Sequence, residues 1–331
     1  LGSSLSLFPN SITLLVIMAL NSTLQDIIMT RELSRDFKEV RAVNKLNLSI
    51  PHGELFGLVG PDGAGKTTTL RLLAGLLDIT EGTAHVAGYD LSRQSEAVKS
   101  HIGYMAQQFS LYGELTVLEN LEFFAALFDV VGELRRERID KLLDFARLQE
   151  FQERRAVYLS GGMQKKLALA CTLINEPEIL LLDEPTTGVD PVSRREFWDI
   201  LTDLHLAGTT IVVSTPYMDE AERCSRVGLM HSGEMIVCDE PNRIRDLVKG
   251  DLVEIRTDDW QQARRELLQL PGVLEVQIFG ENLRVFLESS ERVLPLIESR
   301  LKERGITVRS FREVPARMEE AFISLIRSME D

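Results

Sequence analysis

Cysteine, basic charge and long apolar runs are all scarce in this sequence, and each scarcity closes off a class of function. The three cysteines, Cys171, Cys224 and Cys238, are an odd number with neither metal-ligand spacing nor a paired pattern. That excludes a disulfide framework and a cysteine metal cluster, and it reads as reduced thiols in a cytosolic protein. Lys and Arg number 37 against 51 Asp and Glu, for a formal net charge of −14. Such a balance offers no cationic footprint for a phosphate backbone, so no nucleic acid is expected as a partner. The apolar stretch ITLLVIMAL (12–20) is half the roughly 20 residues that span a bilayer. It also lacks a basic leader and a small-residue cleavage site, which argues against a signal peptide. The chain opens at Leu1, and Met18 or Met29 would each start a normal-looking cytoplasmic protein. Residues 1–28 are therefore expected to be an N-terminal extension outside the fold, with a membrane-surface anchor as the alternative. If the protein works at a membrane, other chains must supply the channel.

What is present is ordinary globular material, enough over 331 residues for one large domain and a smaller one. From Met29 to about Pro241, short apolar runs alternate with helical patterns, the sign of an α/β domain with a largely parallel sheet. LFGLVG (55–60), EILLLDE (178–184) and TTIVVST (209–215) read as buried strands, and KTTTLRLLAGLL (66–77) as a helix. A stretch at roughly 114–175, rich in Leu, Phe, Arg and Glu, reads as a helical subdomain inserted in the α/β core. After Pro241 the rhythm changes to strand (251–257), helix (259–270), strand (272–279), strand (283–288), helix (290–303), strand (306–313) and a last helix from Pro315. That βαββαβ order matches a ferredoxin-like unit.

Gly60-Pro61-Asp62-Gly63-Ala64-Gly65-Lys66-Thr67 is a full match to GxxxxGK followed by Ser or Thr. Its glycines let successive N–H groups face a phosphate, while the following helix points its positive end at the same place. Lys66 is placed to neutralise terminal phosphates, and the Thr67 hydroxyl to ligate Mg²⁺. In ILLLDE (179–184), Asp183 ends the strand where it would hold the magnesium, directly or through water. Glu184 is next in line to polarise an attacking water as general base. Alone, an apolar run ending in Asp-Glu describes any strand meeting solvent; the segment between it and the P-loop gives it weight. That segment is LSGGMQKKLALA (159–170), whose Ser160, Gly161 and Gly162 form another phosphate-sized nest opening onto a helix.

The order P-loop, YMAQQ (104–108), LSGG, LLLDEPTTGVD (180–190) resembles the ATP-binding subunit of ABC transporters over about residues 29–240. The resemblance implies an α/β fold, a P-loop NTPase of the ABC ATPase type with a helical subdomain at about 107–175. This domain would occupy 29–242, with a C-terminal α+β ferredoxin-like (βαββαβ) domain at 250–331. ATP and Mg²⁺ are the implied cofactors. The nucleotide would be held by Gly60, Pro61, Asp62, Gly63, Ala64, Gly65, Lys66, Thr67 and Thr68. Thr67, Asp183 and Gln107 would serve the metal, and Glu184 and Gln107 catalysis. Gln107 looks like the Q-loop glutamine, which senses Mg²⁺ and faces the membrane partner, and Gln108 is adjacent. Phe37 falls where the family puts an aromatic that stacks on adenine, a core position being the other reading. The implied assembly is a dimer, homo- or heteromeric, in which Ser160, Gly161 and Gly162 of one protomer close on ATP in the other's P-loop. Gly188-Val189-Asp190 would be the D-loop that touches the opposite protomer.

Two positions depart from the family pattern. Met163 stands where Gln is usual, a variant tolerated among exporter-like members. STPYMDEAE (214–222) replaces STHYMDEAE, and the missing histidine normally contacts the γ-phosphate and attacking water. Pro216 donates no hydrogen bond from side chain or backbone, and one such donor is worth roughly 10²–10³ in rate. YMAQQFSLYGELTVLENLEFFA (104–125) looks like the membrane-facing region of type-two ABC exporters. The expectation is thus an exporter motor that pairs with separate permease subunits at the cytoplasmic face of the inner membrane. Tyr112 and Leu115 would take up the permease's push. A degenerate nucleotide-binding regulatory partner and a non-transport ABC ATPase are the alternatives.

Overall fold

The computed structural model describes residues 26–108, 111–248 and 250–330, with side chains to residue 326. The apolar stretch 12–20, and with it the alternative of a membrane-surface anchor, lies outside the described residues. The chain divides between Asp239 and Glu240 into two compact units.

In the first unit, β1 (Ile28–Phe37) and β2 (Val40–Ile50) pair antiparallel. Ile27 and Ile28 are buried, and the Ile27 N–H donates to the Ile50 carbonyl at 2.9 Å. The folded chain therefore includes residues that the sequence boundary at 29 left out. β3 (Leu55–Val59) leads through the glycine-rich turn to α1 (Lys66–Leu73). β4 (Glu81–Val86) and β5 (Tyr89–Asp90) complete an antiparallel sheet of order β2-β1-β4-β5. There follow α2 (Leu91–Val98), β6 (Ile102–Met105) and three helices, α3 (Val117–Leu127), α4 (Gly132–Phe145) and α5 (Gly161–Leu173). The chain then returns through β7 (Ile179–Asp183), α6 (Pro191–Leu206), β8 (Thr210–Thr215), α7 (Met218–Ala221), β9 (Arg226–His231) and β10 (Glu234–Asp239).

The second sheet has the order β10-β9-β3-β8-β7-β6, parallel except for β10. β3, β7 and β8 are buried along their whole length, which is why they read as continuous apolar runs rather than alternating ones. α1 packs on β7 and β8 and also on β2, burying Leu70, Leu72 and Leu73 between the sheets. The register sets Val59 beside Thr215 and Asp183 beside Ser214. Three adjacent strands therefore end together, and the loops after them meet at one edge, where open α/β sheets bind ligands.

α3, α4 and α5 share a separate core built on Leu121, Ile139, Leu143, Leu167 and Ile174. A capping box starts α3: Thr116 accepts the Glu119 N–H at 3.1 Å and Glu119 accepts the Thr116 N–H at 2.8 Å. Asn120 is fully buried and donates to the carbonyls of Tyr112, Leu115 and Thr116, which fixes the loop leading into α3.

The second unit runs α8 (Pro241–Arg245), β11 (Asp251–Thr257), α9 (Trp260–Leu267), β12 (Val273–Phe279), β13 (Asn282–Leu287), α10 (Ser290–Glu303), β14 (Val308–Glu313) and α11 (Met318–Glu330). Its antiparallel sheet has the order β12-β13-β11-β14, so β11 to β14 form the ferredoxin-like βαββαβ unit. Ala263 and Leu267 of α9 and Val293, Ile297 and Leu301 of α10 cover one face. On the other face Arg284 of β13 pairs with Glu320 of α11. α11 starts at Met318 rather than at the Pro315 suggested by sequence, because Glu320 reaches back to take the Arg317 N–H at 2.6 Å. Among the described residues no helix is long and apolar enough to cross a membrane.

Candidate active site

The glycine-rich turn sits at the end of β3, and α1 begins at Lys66 with no side chain capping its first turn. Its first N–H groups are left to face the turn, the arrangement that favours an anion. Gly65 holds φ at +101°, and a Cβ there would lie 2.4 Å from the Ala42 carbonyl, so the turn closes only around glycine. Pro61, Thr67 and Thr68 are half-buried, Asp62 and Gly63 are exposed, and Gly60 and Ala64 are buried. Lys66 is buried and curls over the turn, donating to the carbonyls of Gly60 at 2.8 Å and Pro61 at 3.0 Å.

The loops after β7 and β8 bring the acidic groups to the same place. Thr67 donates to Asp183 Oδ1 at 2.9 Å, and Ser214 donates to the same oxygen at 2.7 Å. Lys66 Nζ stands 3.4 Å from Glu184 Oε1, while Gln107 Nε2 donates to Glu184 Oε2 at 2.8 Å. Glu184 holds φ at +44°, a conformation that costs an L-residue about 1–2 kcal/mol. It is secured by the Ser214 carbonyl and hydroxyl, which both accept its N–H, at 3.1 and 3.0 Å. Of the adjacent glutamines, Gln107 is the one bonded to Glu184.

Asp183 Oδ2 is fully buried without a hydrogen-bond partner, and the buried Lys66 ammonium pairs with Glu184 instead. An uncompensated negative oxygen beside a hydroxyl and an amide suits a hard divalent ion. Among the described residues no three His, Cys, Asp or Glu side chains gather as a metal site. A cation here therefore depends on phosphate oxygens for part of its shell, the habit of Mg²⁺.

Ser160 caps α5, accepting the Met163 N–H at 3.3 Å, and it and Gly161 are exposed. Gly162 is buried against α6, where a Cβ would meet Ser193 Cβ at 2.3 Å. Asp190 caps α6 by accepting from Val192 and Ser193, and the Ser193 bond holds its carboxyl below the ordinary range. Phe37 is 41% exposed, which excludes the core reading, and the Arg35 guanidinium lies 4.8 Å from its ring. Pro216 is half-buried in the loop after β8.

Three residues of this region carried no signal of their own in the sequence. Ser214 bridges Asp183 and Glu184. Glu220 is buried and accepts from Thr186 and Thr215, both at 2.6 Å, so it ties the loop after β7 to the loop after β8. Lys165 of α5 donates to the Gln107 carbonyl at 2.8 Å. Each has a partner more than 30 residues away in sequence, and local pattern does not reveal such pairs.

Residues 43–187 match the family described as ABC transporter, and residues 240–326 the family described as ATP-binding protein DrrA1-3-like, C-terminal domain. The chain is 42% identical over 289 residues to the probable multidrug ABC transporter ATP-binding protein YbhF of Escherichia coli K12. That match covers 86% of this chain and 49% of the relative, so the chain spans about half the relative's length. It is 38% identical over 303 residues to the Nod factor export ATP-binding protein I of Sinorhizobium fredii, covering 90% of this chain and 85% of that one. Among solved structures, a dimeric ATP-binding cassette in a post-hydrolysis state bound to ADP and Pi matches with a TM-score of 0.59 and 29% identity. That likeness spans 64% of this chain and 98% of the other.

Proposed function

The chain belongs to the ABC transporter ATP-binding family, and on that premise we propose that it hydrolyses ATP as the motor of an exporter. One observation carries the reading. Lys66 and Gln107 converge on Glu184 while Thr67 and Ser214 converge on Asp183, all at the ends of adjacent parallel strands. A triphosphate in the glycine-rich turn gives Lys66 stronger acceptors than the Gly60 and Pro61 carbonyls, and draws its ammonium from Glu184. The freed carboxylate accepts a proton from the water that attacks the γ-phosphorus. The bond from that phosphorus to the β–γ bridging oxygen breaks, and ADP and phosphate leave. Thr67, Asp183 and Gln107 would hold Mg²⁺, which supplies positive charge to the phosphate oxygens. Phe37, exposed at the end of β1, is available to stack on adenine.

Ser160 and Gly161 are exposed at the N-terminus of α5, the position suited to ATP bound by a second protomer. Permease subunits are the other partners. Tyr112 is exposed and packs against Phe123 at 4.5 Å between ring centroids, beside the half-buried Leu115, on the helical layer. The E. coli and S. fredii relatives, one named for multidrug transport and one for Nod factor export, favour efflux, with the chain peripheral on the cytoplasmic face of the inner membrane.

The test is steady-state Mg-ATP hydrolysis by the purified chain with Glu184→Gln beside it. Turnover that disappears in the variant while ATP binding persists is the expected result. Pro216 favours a second reading, a nucleotide-binding partner with little turnover, because it removes a donor from the loop that faces the phosphates in this family. Tight ATP binding with no turnover above Glu184→Gln would establish that reading instead.

A further inference from the structure

We propose that Lys165 is a positioning residue that couples the signature loop, which serves the partner protomer's nucleotide, to the general base of its own protomer. The proposal rests on the ATPase reading above. α5 starts at the signature loop, and Lys165 Nζ, in its second turn, donates to the Gln107 carbonyl at 2.8 Å. The Gln107 side chain in turn donates to Glu184 Oε2 at 2.8 Å. Two hydrogen bonds therefore connect the helix that carries Ser160 and Gly161 to the carboxylate that takes the proton.

The rest of α5 is anchored elsewhere. Lys166, the next residue, is buried in an ion pair with Glu196 of α6, and Gly162 packs on Ser193 with no room for a Cβ. The first turns of α5 are thus locked to α6, whose N-terminus is capped by Asp190 of the D-loop. A displacement of Ser160 carries α5 and α6 together, and Lys165 delivers it to the Q-loop backbone. Lys165 is half-buried, and its ammonium lies in the field of both Asp183 and Glu184, which opposes the lowering of its pKa by burial. A long cationic donor suits the post, since it reaches a carbonyl while its charge is drawn toward the acidic pair.

The measurement is ATPase activity against ATP concentration for the full chain, as wild type, Lys165→Met and Lys165→Arg. Wild-type turnover comes first, because its absence refutes the motor reading rather than this one. With turnover present, Lys165→Met should lower kcat about tenfold, the loss of one charge-assisted hydrogen bond. KM should stay within about twofold, and the Hill coefficient should fall toward one. Lys165→Arg, which keeps charge and donor, should restore both kcat and the Hill coefficient. Unchanged kcat and cooperativity in Lys165→Met would overturn the proposal. So would a parallel loss of thermal stability and ATP affinity, or no rescue by arginine, each of which marks a residue that only supports the fold.

Discussion

Ser214→Ala removes one hydroxyl from the centre of the site, and its cost can be worked from the contacts it breaks. The side chain is fully buried, donates to Asp183 Oδ1 at 2.7 Å and accepts the Glu184 N–H at 3.0 Å. A hydrogen bond to an ionised carboxylate is worth about 1.5–3 kcal/mol, and the neutral one about 0.5–1.5. Glu184 N–H keeps the Ser214 carbonyl, so the second loss falls at the low end. The expected destabilisation is about 2–4 kcal/mol. Catalysis should suffer more than that figure suggests, because the hydroxyl is one of the two acceptors that hold Glu184 at positive φ. Released toward ordinary backbone geometry, the carboxylate shifts relative to the nucleotide, and a 1 Å misplacement costs roughly 10²-fold in rate. Urea unfolding can be followed through Trp198, buried in α6, in a Trp260→Phe background, with steady-state ATPase measured on the same protein. A stability loss below about 0.5 kcal/mol together with unchanged kcat would refute the idea that this hydroxyl organises both acidic residues.

Pro216→His should raise kcat by about 10²–10³ by supplying the donor that the family pattern places there, at a stability cost below roughly 1 kcal/mol from lost proline stiffness. Turnover within about threefold of wild type would show that the site does not depend on that donor. Glu320→Ala strands the buried Arg284, whose remaining acidic neighbour, Glu254, lies 3.7 Å away. Breaking such a pair should destabilise the second unit by about 3–5 kcal/mol. The change is readable from Trp260 in a Trp198→Phe background, and a shift under about 1 kcal/mol would mean that water reaches the guanidinium.

What could be read from sequence followed the range of the constraint. The glycine-rich turn, Asp183 and Glu184 were legible because phosphate chemistry demands those residue types within a few positions of one another. β3, β7 and β8 were legible because strands buried on both faces are written as uninterrupted apolar runs. β1 and β2 were not, because their pairing shifts register at three places, between Thr30 and Leu33, Leu33 and Arg35, and Arg35 and Asp36. Those irregularities break the two-residue alternation that marks a strand. Ser214 gains its role only through the register that sets it beside Asp183, 31 residues away. The second unit was legible strand by strand, whereas the start of α11 depended on Glu320 capping backward, which helix pattern alone does not encode.

The signature segment divides its labour in a way that bears on Pro216. Gly162 is spent inside the chain, packed on Ser193, whereas Ser160 and Gly161 are exposed, and the serine hydroxyl oxygen accepts the Met163 N–H. That bond uses the oxygen as acceptor and leaves the hydroxyl hydrogen free to donate, beside the exposed start of a helix. Lys66, Thr67, Gln107, Asp183 and Glu184, by contrast, are already joined to one another within the unit. On the proposed dimer reading, the chain thus offers one nearly complete half-site and one donor set for an anion from outside. Pro216 belongs to the first half, so any loss it causes falls on the ATP held by this chain's own P-loop. The signature half carries no such defect, and a partner with an intact histidine would still find a working loop opposite its nucleotide. On the proposed export reading, pairing with such a partner would leave one site with its histidine, whereas a homodimer would carry the proline in both sites, so the Pro216→His measurement bears on which assembly the motor needs.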